Sequence, residues 1–88
     1  MTKIEHEGWK AELNGKVLTI EKDGEEREYD IKEENDGIEF EGTDEYFFIR
    51  TKKFDYQFKF EVDNFFVGDK IDKNGEFMDE FASHVFGE

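Results

Sequence analysis

Phe54, Tyr56, Phe58, Phe60 and Val62 occupy every second position of one stretch, with Asp55, Gln57, Lys59 and Glu61 between them. A period of two puts the first set on one face of an extended strand and the second on the other, so one face is core and one is wet. The same alternation carries Trp9, Ala11 and Leu13; Asn14-Gly15 intervenes, and Val17, Leu18 and Ile20 follow. A two-residue type I′ turn needs positive φ at both central positions, and Asn-Gly supplies it, which predicts a hairpin. Asp23-Gly24 repeats the signal before the stretch from Glu25 to Ile31. A looser turn over 33–37 leads to a short fourth strand containing Ile38 and Phe40 and ending near Gly42. Tyr46 to Thr51 forms a fifth strand and Phe54 to Val62 a sixth. Short connections and the absence of proline favour an antiparallel meander.

After Val62 the period changes. Phe77, Met78, Phe81, Ala82, Val85 and Phe86 recur at three- and four-residue intervals, with Asn74 placed as an N-cap and Gly87 as a C′ residue. This spacing predicts an amphipathic C-terminal helix at about 74–86, laid on the sheet or plugging one end of it, with Phe65, Phe66 and Val67 in the connection packing beneath. The expected fold is therefore α+β and mostly β. It comprises a five- or six-stranded antiparallel meander, open or partly closed into a barrel, with one C-terminal helix, in a single domain over 1–88. The expected core is Trp9, Leu13, Leu18, Ile20, Tyr29, Ile38, Phe40, Phe48, Phe58, Phe60, Phe81 and Phe86. In element order this outline resembles pleckstrin-homology-like modules, although the early hairpins carry acids where a basic phosphoinositide pocket would be expected.

Charge alters the functional picture more than the fold. The chain carries −13 overall, and between Glu21 and Glu45 thirteen carboxylates face three basic residues. Concentrated charge of one sign strains the compact state unless it serves solubility or meets a cationic partner. Aromatic residues make up 17% of the chain, enough to offset 42% charged residues and to exclude disorder. There is no cysteine, which excludes disulfides and thiolate metal sites. The longest apolar runs, Phe47 to Ile49 and Phe65 to Val67, fall far short of a membrane span of about 20 residues. The N-terminal residues lack the apolar stretch of a secretory signal, so a cytoplasmic protein is expected. A negative surface is repelled by nucleic acid and by anionic lipid, so direct binding to either is not expected.

The inventory for catalysis is two histidines, His6 in an expected N-terminal tail and His84 after Ser83 on the expected helix, where adjacent side chains diverge and cannot pair as nucleophile and base. No catalytic residue, cofactor or metal is expected. Lys70 to Gly75 echoes a calcium loop at Asp72, Asn74 and Gly75, but Lys70 and Phe81 stand where the first and last carboxylates belong. The remaining candidate is the acidic segment. With Tyr29, Ile31, Ile38 and Phe40 inward, Glu26, Glu28, Asp30, Glu39 and Glu41 share the outer surface of one hairpin, and Glu33, Glu34 and Asp36 extend it through the turn.

Such a surface suits a non-enzymatic inhibitor that occupies the basic channel of a nucleic-acid-handling protein, as a mimic of the phosphate array of DNA. In character it resembles the acidic inhibitors that phages deploy against restriction or CRISPR enzymes and the immunity proteins of nuclease toxins. The alternative is a structural or adaptor domain with an aromatic contact surface around Phe65 and Phe66, in which charge serves only solubility.

Overall fold

The computed structural model describes residues 3–31, 39–42 and 46–87. They form nine strands: β1 (Lys3–His6), β2 (Trp9–Asn14), β3 (Val17–Lys22), β4 (Glu25–Asp30), β5 (Glu39–Gly42), β6 (Tyr46–Arg50), β7 (Asp55–Glu61), β8 (Phe65–Ile71) and β9 (Phe77–Val85). All pairings are antiparallel, in a four-stranded sheet ordered β1-β2-β3-β4 and a five-stranded sheet ordered β5-β6-β7-β8-β9. The protein is all-β. Among the described residues there is no helix, and so none long and apolar enough to cross a membrane.

The expected helix over 74–86 is thus replaced by a turn and β9. Two bulges explain why its spacing imitates a helix. Gly68 pairs with Ala82 but Asp69 with Glu80, which leaves Phe81 extra; Lys70 pairs with Asp79 but Ile71 with Phe77, which leaves Met78 extra. Each extra residue breaks the period of two, and the apolar positions then fall three and four apart. At the first bulge Phe81 and Ala82 both turn inward, Phe81 against Tyr56 at 4.9 Å and Tyr29 at 6.2 Å between ring centroids.

The turn before β9 is closed by Asp72, whose Oδ1 accepts the backbone N–H groups of Asn74 at 2.8 Å and Glu76 at 2.9 Å. Asp72, rather than Asn74, is the capping residue there. The first hairpin also turns one residue later than expected. Asn14 pairs with Val17, so Gly15 and Lys16 are the central residues, with Gly15 at φ 62°. Asp23 (φ 51°) and Gly24 (φ 84°) form the two-residue turn the sequence predicts. An unforeseen turn at Glu7-Gly8 places His6 in β1, paired with Trp9, rather than in a tail.

The sheets pack face to face through aromatic rings. Trp9 of β2 stacks on Phe60 of β7 at 4.9 Å and meets Phe86 edge-on at 5.3 Å, while Tyr29 of β4 lies 5.8 Å from Phe66 of β8. The buried cluster unites Trp9, Ala11, Leu13, Leu18, Ile20 and Ile31 with Phe47, Ile49, Tyr56, Phe58, Phe60, Phe66, Ala82 and Phe86. Tyr29, Phe40 and Phe81 pack on its margin. Phe48 is not in the core: β6 turns Phe47 and Ile49 inward and leaves Phe48 outside, under the Arg50 guanidinium at 4.6 Å. Ile38 lies outside the described residues.

Candidate functional site

β2 buries Trp9, Ala11 and Leu13, and β3 buries Leu18 and Ile20, so their alternate residues face out. The register Leu18–Tyr29 carries that alternation into β4, with Tyr29 inward and Glu26, Glu28 and Asp30 outward. With Lys3 and Glu5 from β1, the outer face of the four-stranded sheet bears Glu5, Glu12, Glu21, Glu26, Glu28 and Asp30 against Lys3 and Lys10. The lysines sit on the β1–β2 side, where Lys3 is opposite Glu12 and Lys10 opposite Glu5. On the other side Glu21 stands directly opposite Glu26. Lys10 reaches Glu21 at 3.9 Å, and no basic side chain among the described residues pairs with Glu26, Glu28 or Asp30. These three recur about 6.6–6.8 Å apart along an edge strand.

Glu39 and Glu41 do not join them. β4 pairs with β3 and β5 with β6, so the expected hairpin between β4 and β5 does not form and its acids divide between two sheets. Glu41 instead lies near Arg50, at 3.5 Å. Glu33, Glu34 and Asp36 lie outside the described residues. Of the eight expected site residues, the structure brings together Glu26, Glu28 and Asp30, and adds Glu12 and Glu21 from neighbouring strands.

Glu25 serves a different purpose. It shares the inward parity of Tyr29, and its carboxylate bridges the two sheets, with Oε2 at 2.6 Å from His84 Nε2 and Oε1 accepting the Gly87 N–H at 2.6 Å. The Gly87 N–H, followed by the His84 side chain, holds its pKa below the ordinary carboxylate value. Ser83 and His84 point to opposite faces of β9, with Ser83 exposed and His84 packed edge-on against Phe86 at 4.7 Å. The one sequence signal for this clamp was an acid at an inward position of a strand; its partners, about sixty residues on, had none.

A second polar cluster lies where β6 turns into β7. Asp55, 7% exposed, accepts Arg50 Nη1 at 2.9 Å and Lys73 Nζ at 2.7 Å, and Lys73 also donates to the Thr51 carbonyl at 2.5 Å. These charges pair within the chain and tie the turn after β8 to the β6–β7 hairpin. Among the described residues no group of three or more His, Asp or Glu side chains is arranged to hold a metal ion. The two residues named for an aromatic contact surface both lie in β8, Phe66 fully buried and Phe65 on the outer face. No family model matches the chain, and no curated protein or solved structure matches it significantly.

Proposed function

We propose that this chain is a non-enzymatic acidic binding protein whose four-stranded sheet presents its carboxylates to the basic surface of a nucleic-acid-handling protein, in the manner of a DNA mimic. The observation that carries this reading is Glu21 directly opposite Glu26, continued along the edge by Glu28 and Asp30. Like charges facing each other across a strand pair are destabilising. Lys10, 3.9 Å from Glu21, relieves the Glu21 side alone, with no cation among the described residues paired to Glu26, Glu28 or Asp30. A basic partner would offset it on binding. A rigid sheet also holds its carboxylates at fixed spacing, so the partner's Lys and Arg residues meet a preorganised array. Phage inhibitors of restriction or CRISPR enzymes and nuclease immunity proteins are the classes this reading suggests, acting in the cytoplasm.

The test is capture of partners on the immobilised protein at about 50 mM and about 500 mM salt, followed by elution with duplex DNA. The reading expects nucleic-acid-binding proteins that are captured at low salt, released by the duplex, and lost when Glu26→Lys and Glu28→Lys are combined. Capture that survives both changes, or that the duplex leaves untouched, would refute it.

A further inference from the structure

The two outer faces of the molecule differ in kind. Among the described residues, Val17 is the one apolar side chain on the outer face of the four-stranded sheet, as expected where one face of an antiparallel sheet meets water. The outer face of the five-stranded sheet instead carries Tyr46, Phe48, Phe65, Val67 and Val85. The register gathers them around one residue. Lys59 lies between Tyr46 and Val67 in a cross-strand row, with Phe48 in the row on one side and Phe65 in the row on the other. Lys59 is exposed and forms no ion pair among the described residues, and its aliphatic stem continues the apolar surface.

This face runs into a cleft of about 630 Å³ that shares Tyr46, Lys59 and Glu61 with it and is floored by Trp9 and Phe60. Val62, 82% exposed, stands at its rim. An apolar centre beside a cavity on an otherwise strongly charged molecule is the anatomy of a protein interface, with a large side chain as anchor and a polar rim around it. The rim is mainly acidic: Glu61, Asp69 and, in the cleft, Glu7 stand around the patch, while Glu41 is paired with Arg50, whose guanidinium covers Phe48 at one margin. A second copy would bring its own acidic rim against this one, on a chain of net charge −13, so the complementary occupant is basic.

We propose that the outer face of the five-stranded sheet around Lys59 is a docking surface for a partner segment that carries an apolar anchor side chain flanked by basic residues. The anchor enters the cleft over Trp9 and Phe60, and the flanking cations meet Glu61, Asp69 and Glu7. The surface lies opposite the carboxylate face and does not depend on the function assigned to it.

The test uses the full chain and two fluorescein-labelled ten-residue probes, one alternating lysine with leucine and one of lysine alternating with serine, at about 500 mM salt so that contacts made by charge alone are screened. The lysine–leucine probe is expected to bind at least about tenfold more tightly than the lysine–serine probe, and Val67→Lys is expected to weaken it about tenfold. Circular dichroism checks that Val67→Lys folds, and Tyr46→Ser at the margin of the patch supplies an independent variant, with a smaller loss expected. Equal binding of the two probes, or unchanged binding by both variants, would overturn the proposal. Binding lost on Glu28→Lys but kept in Val67→Lys would place the probe on the carboxylate face and overturn it too. A dimer seen by sedimentation in the unmodified protein and dissolved by Val67→Lys would make a second copy the occupant and refute the one proposed.

Discussion

Glu25 on β4 and His84 on β9 meet at 2.6 Å across the seam between the two sheets, where no backbone ladder connects them. Because the Gly87 N–H and His84 hold the Glu25 carboxyl below its ordinary value of 4.5, the ionised form is the one that stabilises the fold. That contribution is present above about 4.5 and is lost as pH falls through the lower, folded-state value. Glu25→Gln is therefore expected to lower the thermal midpoint above pH 5. The gap from the unmodified protein should close in more acidic buffer. A gap that is constant with pH would show that the carboxylate's charge plays no part.

Gly68 lies beneath the ring of Phe58, its direct partner in the β7–β8 ladder. A Cβ at this position would come 2.4 Å from Phe58 Cδ1, and Phe58 is fully buried among other rings with no room to move aside. Gly68→Ala should destabilise the protein by about 1–3 kcal/mol, the usual cost of overpacking a core. Equilibrium unfolding in urea measures this directly. Combining the change with Phe58→Leu should recover part of the loss.

Tyr29 contributes its ring to the core, but its buried hydroxyl has no hydrogen-bond partner among the described residues. Burial raises its pKa above 10.0, and Arg27, whose side chain approaches the hydroxyl without hydrogen-bond geometry, opposes the shift. A buried polar group without a partner costs about 1–3 kcal/mol, so Tyr29→Phe is expected to leave stability unchanged or raise it, by calorimetry. A clear loss would mean that the hydroxyl contributes a favourable contact.

Glu26→Lys turns the like-charge pair with Glu21 into an opposite-charge pair on the surface. The folded state should gain a few tenths of a kcal/mol at low salt, and the gain should fade as salt rises. Under the proposed function the same change weakens binding to a basic partner. Greater stability together with weaker binding is the joint outcome that reading requires.

The early hairpins are legible because Trp9, Leu13, Leu18 and Ile20 alternate strictly and the turns between them are short. The inward parity read locally is therefore the final one, even though the first of these turns falls at Gly15-Lys16 rather than at Asn14-Gly15. Residues 46–49 read less clearly, since Tyr46, Phe47, Phe48 and Ile49 are all apolar and the run does not reveal which parity faces inward; Phe47 and Ile49 do, and Phe48 does not. β9 hides its strand character for the opposite reason. Its inward residues are displaced by two bulges, and a bulge is set by the partner strand, which a single segment cannot show. The candidate site followed the same division. Glu26, Glu28 and Asp30 were placed outward by alternation alone, whereas their union with Glu39 and Glu41 required a hairpin that β4 and β5 do not make.

The sequence by itself determined the antiparallel β character of residues 9–30 and 55–61, the burial of the alternate side chains of β2 and β3 and of Tyr56, Phe58 and Phe60, and the outward placement of the β4 acids. Val62, read as the last inward residue of that run, is instead 82% exposed beyond the end of β7. Side-chain parity and two-residue turns are local properties, fixed by the geometry of a single strand. Only the tertiary structure decided that the chain divides into two sheets between β4 and β5, that its last segment is a bulged strand, and that Glu25 spans the seam to His84. These depend on which strands become neighbours, and neighbours are chosen by the packing of Trp9, Tyr29, Phe60, Phe66 and Phe86 across the core. Those contacts join residues distant in the chain, and no local pattern records them.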